Sequence, residues 1–375
     1  MANSTAQPND ASPGKLPTLD ILDDAAVWTP EIQELAHALT EQIRLDQPGM
    51  IVNGPPRNGK SRACGYVAAI LSECVGYPVT VLTWTIPESL TGVSARVFLQ
   101  ERMIQSDCQA VTHRDLAVLR NRHITHMSER ANADGAKRIV IIVDEAQNLW
   151  REDYGALVFF FNELERRRLR PFFLLVGQPE LGKQADQWMS EDAQQMVGRF
   201  STRTHAYLGI RLDDLEEVLA GFDGDGDGDG DGPEATAAFR TSPKAYAEGW
   251  RVAELAPLMR DAVKRLGKSH NVQEEIRLPM QYLRSCLLAM LYRIAQRGMN
   301  PRAFQLADAI DCVKSSNFGK VMNYYIRTGV GAAGDVRSSA SGRDGEAGSG
   351  GQGTAPKRPQ RRRPSSANNE GEEAA

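Results

Sequence analysis

Two stretches of this chain carry residues whose types and spacing could do chemistry together. The first reads Gly54-Pro55-Pro56-Arg57-Asn58-Gly59-Lys60-Ser61. Two glycines with four residues between them, then Lys-Ser, is the spacing of a phosphate-binding P-loop. Gly54 and Gly59 let the backbone curl until successive N–H groups face inward, a concavity that suits a phosphate. A helix expected from Arg62 to Cys74 would aim its N-terminal N–H groups and positive dipole end at the same anion. Lys60 can reach the β- and γ-phosphates, and the Ser61 hydroxyl can take a Mg²⁺ coordination position. Pro55, Pro56, Arg57, Asn58 and Arg62 complete the set expected to line a nucleotide. The competing reading is a glycine-rich turn before a helix. The second stretch, Arg138–Asn148, runs Arg-Ile-Val-Ile-Ile-Val into Asp144-Glu145. Two acids at the carboxyl end of a parallel strand are costly unless they serve a cation or a water, and ligands sit at that edge of open α/β sheets. Asp144 would hold the hydration shell of Mg²⁺. Glu145 would orient and deprotonate the attacking water. Otherwise the pair only caps the next helix.

The elements that must hold these residues are legible around them. Gly49–Asn53 is a short apolar strand that delivers the loop. Ala63, Val67, Ile70, Leu71 and Cys74 fall near one face of the helix that follows. Upstream, Thr29-Pro30-Glu31 has the cap, the first-turn proline and the acid of a helix start, with Ile32, Leu35, Ala36, Leu39 and Ile43 at helical spacing. Strands are expected at Pro78–Thr85, at Ile139–Val143, at Pro171–Val176 and at Thr204–Ile210. Ile139–Val143 is apolar and β-branched throughout, as a central strand buried on both faces requires. Gln178, just beyond Pro171–Val176, lies where a polar side chain could sense a γ-phosphate. Leu149–Arg170 is an amphipathic helix with a basic end, and cations there also complement the helix dipole.

The rest of the chain bounds the function. Its 375 residues allow two domains, or one large domain with tails, and its net charge of −4 announces no nucleic-acid partner, so any such site must be local. Five scattered cysteines without a Cys-x-x-Cys pair argue against a disulfide framework or a zinc site and suit a reducing cytosol. No apolar run approaches the ~18 residues of a membrane span, and residues 1–15 lack the apolar core of a signal peptide. The expected organisation is a disordered arm over 1–24, an α/β nucleotide-binding domain over 25–212, a helical lid over 213–328 and a basic-then-acidic tail over 329–375. Helices are expected at Trp250–Leu266, at Ile276–Gln296 and from Asn300-Pro301-Arg302 onward. The segment Glu88–Ala136 reads as mostly helical and is rich in cations, among them Arg96, Arg102, Arg114, Arg120, Arg122 and Arg130. These are either solvated helix faces or a surface that neutralises DNA phosphates. The tail run Pro356–Arg363 is either a solvated charge run or an electrostatic tether to nucleic acid. Asp223–Gly232 is five Asp-Gly pairs. It formally fits a calcium loop with Glu234, but lacks the usual apolar residue and reads as a flexible insertion.

The motifs GPPRNGKS, VDEAQNL, GQPEL, VGRF and NPRAF occur in this order. On them the chain resembles AAA+ ATPases of the TniB/TnsC type, bacterial transposition regulators, over roughly residues 25–315. The VDEAQNL and GQPEL pair is also similar to that of ExeA-type secretion ATPases. The resemblance implies an AAA+ P-loop NTPase fold, a parallel five-stranded sheet flanked by helices with a C-terminal helical lid. It implies ATP and Mg²⁺ as cofactors, slow regulatory hydrolysis and cytoplasmic assembly as a ring or filament on double-stranded DNA. It further implies recruitment of a transposase or target-selection protein. Gln178 would be sensor 1. Arg199 would be the arginine finger toward a neighbouring subunit, with Arg203 as the fallback, and Arg302 would be sensor 2. The alternative is a secretion or signalling ATPase that acts on protein partners without DNA. A helicase would need a second RecA-like domain, for which the helical region after residue 212 is too short. A non-hydrolysing scaffold is argued against by Glu145.

Overall fold

The fold is taken from a computed structural model, which describes residue 22 and residues 27–88, 94–190, 194–223 and 236–327. Helix α1 (Pro30–Arg44) starts as its sequence dictates. The Thr29 hydroxyl accepts the Ile32 N–H at 3.3 Å, and Pro30 fills the first turn. Strand β1 (Gly49–Asn53) follows and delivers the P-loop to α2 (Lys60–Val75), which closes at Gly76 in a left-handed conformation. Then come β2 (Val79–Thr85), α3 (Ala95–Gln105), α4 (Leu116–Ala133), β3 (Arg138–Asp144) and α5 (Arg151–Arg166). β4 (Arg170–Gly177), α6 (Pro179–Ser190), α7 (Gln194–Phe200) and β5 (Thr204–Ala206) complete the layer.

The five strands form one parallel sheet in the order β2-β3-β4-β1-β5. Its central strands are apolar at almost every position because helices cover both faces. Alternate side chains go to opposite cores, as a two-residue period requires. Ile139, Ile141, Val143, Phe173 and Leu175 pack with α3, α4 and α5. Val140, Ile142, Phe172, Leu174 and Val176 pack with α1 and α2. The strands' carboxyl ends therefore share one edge, where Asn53, Asp144 and Gly177 stand.

The expected strand Thr204–Ile210 is cut short. β5 ends at Ala206 and the chain turns at Gly209, whose φ is 95°. A side chain there would lie 2.8 Å from the Leu278 carbonyl oxygen, so glycine answers both the angle and the close approach. Beyond it, β6 (Ile210–Arg211) leaves the main sheet and pairs antiparallel with β7 (Arg277–Leu278).

The remaining helices are α8 (Leu215–Ala220), α9 (Ala237–Thr241), α10 (Pro243–Ala247), α11 (Ala256–Ser269), α12 (Met280–Arg297), α13 (Leu306–Ser315) and α14 (318–327). They share a third core that includes Trp250, Met259, Leu283, Leu287, Met290 and Phe318. Three expected boundaries shift. A 3₁₀ turn at Val252–Leu255 precedes α11. Pro279 caps α12, and Arg277–Leu278 before it is a strand. Pro301–Ala303 is a 3₁₀ turn, and the helix expected from Asn300 begins only at Leu306. Asp223, first of the formal calcium positions, is buried. Its two oxygens accept the N–H groups of Ala238 at 3.0 Å and Val252 at 2.6 Å. The rest of that repeat lies outside the described residues, as does the basic run Pro356–Arg363. Among the described residues, no helix is long and apolar enough to cross a membrane.

The cation-rich segment is two helices with a loop between them, and three of its arginines hold that loop. Arg96 donates to the carbonyls of His113 and Arg114, and Arg122 to that of Ala110 at 3.2 Å. Arg130 meets Asp107 at 3.5 Å. Arg102 is fully buried, with its guanidinium on the Thr85 carbonyl and the Glu101 carboxylate at 3.1 and 3.0 Å.

Glu31 is a second buried charge, at the junction of α1 with the β6–β7 pair. Neither of its oxygens has a hydrogen-bond partner of good geometry. Burial, aided by Asp214 and Glu34 and opposed by its own N–H and Arg277, pushes its pKa from the ordinary 4.5 to about 7. The folded state therefore holds this proton more tightly than the unfolded one. Stability is lost as pH rises from about 4.5 through 7, by up to roughly 3 kcal/mol. Glu31→Gln is expected to raise the melting temperature at pH 8 and to leave it unchanged at pH 4, read by thermal unfolding at both. An equal effect at the two pH values would contradict this.

Candidate active site

The P-loop is pinned on three sides. The Gly54 N–H donates to the Gly177 carbonyl at 3.3 Å, tying the loop's entry to the end of β4. A side chain on Gly54 would lie 2.1 Å from the Tyr207 carbonyl oxygen, so this contact requires glycine. Asn58 donates to that same carbonyl at 3.0 Å, while its own amide oxygen is buried and has no partner. Gly59 sits at φ 93° as the N-cap of α2, and Arg57 at φ 65°. The helical region grips the loop's outer arm. Gln281 N–H donates to the Arg57 carbonyl at 3.3 Å, and the Arg57 guanidinium reaches the Tyr282 hydroxyl at 3.3 Å. From α14, the Tyr325 hydroxyl donates to the Pro56 carbonyl at 3.1 Å.

Lys60 is buried against the loop it serves. Its ammonium donates to the carbonyls of Gly54 and Pro55, both at 2.9 Å. Burial lowers its pKa, and the nearby Glu145 and Asp144 oppose that fall. Ser61 and Arg62 are exposed on the first turn of α2. Asp144 ends β3, and one of its oxygens accepts the Glu145 N–H at 3.0 Å. Glu145 has left-handed backbone angles, φ 54° and ψ 37°. Its carboxylate accepts the side-chain amide of Gln147 at 2.5 Å. The amide oxygen of Gln147 accepts the Gln178 N–H at 3.0 Å. Thus Asp144, Glu145 and Gln178 come together at one sheet edge beside Lys60. Gln147 joins two of them. Sequence reasoning gave it no role, although it stands inside the motif that suggested the site.

Beside Gly59 opens a small cleft, lined among others by Ile32, Tyr66, Tyr207, Met280 and Arg284. An apolar, aromatic slot next to a phosphate loop suits a planar base. Arg284 was not singled out from the sequence. It stands four residues after Met280 on α12 and so shares its face.

Two expected site residues stand elsewhere. Arg302 is not brought to the P-loop. α12 begins at the loop and runs 18 residues, a length of ~27 Å, before the turn that holds Arg302. There Arg302 meets Glu254 at 3.1 Å. The helical-region arginine at the cleft is Arg284. Arg199 lies at the opposite end of β1. An added side-chain carbon on Gly49 would meet the Arg199 carbonyl oxygen at 2.3 Å, which puts Arg199 about 16 Å from the loop by strand geometry. Its guanidinium donates to Asn162 at 3.1 Å and lies over the Phe161 ring. Arg203, on the same side, pairs with Glu41. Neither can serve its own chain's phosphates.

The fold and the site define the class: a P-loop ATPase of AAA+ fold, an enzyme that hydrolyses ATP. Residues 43–184, which hold the P-loop, Asp144, Glu145 and Gln178, match the profile of a family described as an AAA domain. Among solved structures, the chain is similar to the Aeropyrum pernix ORC2 protein in its ADP form, at 12% identity and TM-score 0.49, over 78% of this chain and 71% of that one. It is similar to the Aeropyrum pernix ORC1 protein in complex with DNA, at 12% identity and TM-score 0.38, over 82% and 87% of the two chains. It is also similar to Cdc6p from Pyrobaculum aerophilum, at 11% identity and TM-score 0.38, over 85% and 89%. Comparison with curated proteins gives no match.

Proposed function

We propose that this chain uses Mg-ATP to control its own assembly on double-stranded DNA in the cytoplasm, and that the assembled form recruits a transposase or target-selection protein. The observation that carries the reading is the grip of the helical region on the P-loop. Gln281, Tyr282 and Tyr325 all hold the arm Pro56-Arg57. A ligand that reshapes that arm must also shift the helical region, so nucleotide state is linked to the shape offered to a neighbour. Gly54–Arg62 would cradle the phosphates, with Lys60 leaving its loop carbonyls for the anion. The oxygen donors Ser61 and Asp144 suit a hard cation and would hold Mg²⁺. Bound there, Mg²⁺ would offset charge on the β- and γ-phosphates. Glu145 would orient and deprotonate water, and Gln178 would sense the γ-phosphate. Arg199, remote from its own site, would reach a neighbouring copy's nucleotide. The DNA part of the reading is supported by the resemblance to transposition regulators and by exposed basic residues such as Arg114.

A second reading, an ExeA-like ATPase acting on proteins alone, is favoured by one finding. Arg96, Arg102, Arg122 and Arg130 are engaged within the fold, which leaves fewer cations for phosphates. Duplex-DNA binding by the purified full chain, with ATP, ADP or no nucleotide and across a salt series, separates the two. Binding that requires ATP and weakens steeply with salt is expected. If ATP is hydrolysed yet no nucleotide state binds DNA above background, the DNA reading fails and the protein-only reading stands.

A further inference from the structure

We infer that Gln147 is a positioning residue. It aims the Glu145 carboxylate and couples it to the backbone at Gln178. The inference rests on Glu145 being the group that deprotonates water. The geometry begins with strain. A non-glycine residue in the left-handed region costs about 1–3 kcal/mol and persists only where its surroundings hold it. Around Glu145 they do. Its N–H is bound by Asp144, and its carbonyl accepts the Asn148 N–H at 3.0 Å. The Asn148 side chain donates to the Ile86 carbonyl at 3.1 Å, and Gln184 donates to the Gln147 carbonyl at 3.2 Å. The turn Ala146–Asn148 is thus clamped from the residue after β2 and from α6.

This clamp sets the direction of the Gln147 amide without ambiguity. The Gln178 N–H can only donate, so the group facing it must be the amide oxygen. The other end is then NH₂, and it faces a carboxylate oxygen, which can accept. The planar amide is shared between the catalytic carboxylate and the end of the sensing strand. One Glu145 oxygen is held by it and the other is left for water. A side-chain carbon on Gly177 would sit 2.5 Å from the Gln147 amide oxygen, so glycine at the end of β4 is what lets this bridge form. A shift of the backbone at Gln178, as a γ-phosphate engages that loop, moves Glu145 through one rigid group.

Gln147→Glu and Gln147→Met separate positioning from folding. Glu keeps an acceptor for Gln178 and donates to Glu145 only while the new carboxyl is protonated. Two carboxylates this close do not ionise together at one pH. We expect kcat of Gln147→Glu to stay near native only over the pH range in which the pair holds one proton, and to fall, by about tenfold or more, as that proton is lost, with no such fall in the native chain. Gln147→Met, similar in length but without hydrogen bonds, should lose about tenfold in kcat at every pH. Both variants should bind ATP with native affinity, measured at equilibrium, which shows the P-loop intact. Glu145→Gln is the control. If it abolishes hydrolysis while both Gln147 variants match the native rate and pH profile, positioning by Gln147 is refuted and the role of Glu145 survives. If Glu145→Gln hydrolyses ATP at the native rate, the assignment of Glu145 fails and the inference falls with it.

Discussion

Glu145→Gln is expected to slow ATP turnover by about 10²- to 10⁴-fold, the usual contribution of a positioned general base. Nucleotide affinity should remain near native, because the groups proposed to hold the phosphates are untouched. Lys60 stays on α2, the loop stays pinned at Gly54, and Asp144 keeps its place at the end of β3. The amide of glutamine fills the same volume and can still pair with Gln147, so the left-handed turn should persist. Steady-state hydrolysis beside equilibrium binding of a labelled nucleotide reads both quantities. A variant that hydrolyses at more than a tenth of the native rate would remove Glu145 from the mechanism. One that no longer binds nucleotide would mean that its charge supports Lys60 more than it activates water.

The largest stability loss should come from Trp84→Ala, about 3–5 kcal/mol. Trp84 is fully buried on β2 beneath α3, α4 and α5. Its ring lies 5.7 Å from His123, 5.7 Å from Phe160 and 6.4 Å from Phe173. Its indole N–H donates to the Ser106 hydroxyl at 2.9 Å. That hydroxyl donates in turn to the Arg102 carbonyl at 2.8 Å and faces His123 at 3.1 Å. Burial pushes the His123 pKa down to about 3, so the imidazole is neutral at physiological pH. Removing the indole therefore opens a cavity and takes a donor from a buried hydroxyl. Trp84→Phe keeps most of the volume and should lose only the hydrogen bond, about 1 kcal/mol, beyond a small volume defect. Urea unfolding of the two variants checks the order. Equal losses would show that the hydrogen bond, not the packing, dominates.

The shape of the candidate site was legible in the sequence wherever it depends on neighbours in the chain. A P-loop is one continuous segment, and Gly54–Ser61 carries its conformational demands in its own residue types. β3 and β4 are apolar throughout, and a central parallel strand has to be. What escaped was set by contacts distant in sequence. Gly209 ends the fifth strand because residue 278 comes close, and nothing in Thr204–Ile210 records that. Arg302 matched a motif. Its place depends on the direction in which α12 leaves the P-loop, and that direction brings Arg284 to the cleft instead. Arg102 read as one cation among many in a helical segment, yet it is fully buried. Gln147 stood in plain view, but its role needs the strand end at Gln178 beside it, a pairing made only by the order of the sheet.

The most direct test of nucleotide-controlled assembly is the mass of the full-length Glu145→Gln variant in solution, by light scattering, with ATP, with ADP and with neither. We expect a monomer or small oligomer without nucleotide and with ADP, and a much larger assembly with ATP. Adding Arg199→Ala should dissolve that assembly if the arginine reaches a neighbour's phosphate. A chain that binds ATP but keeps one mass in all three conditions would contradict the proposal, because ATP would then have no hold on how copies meet.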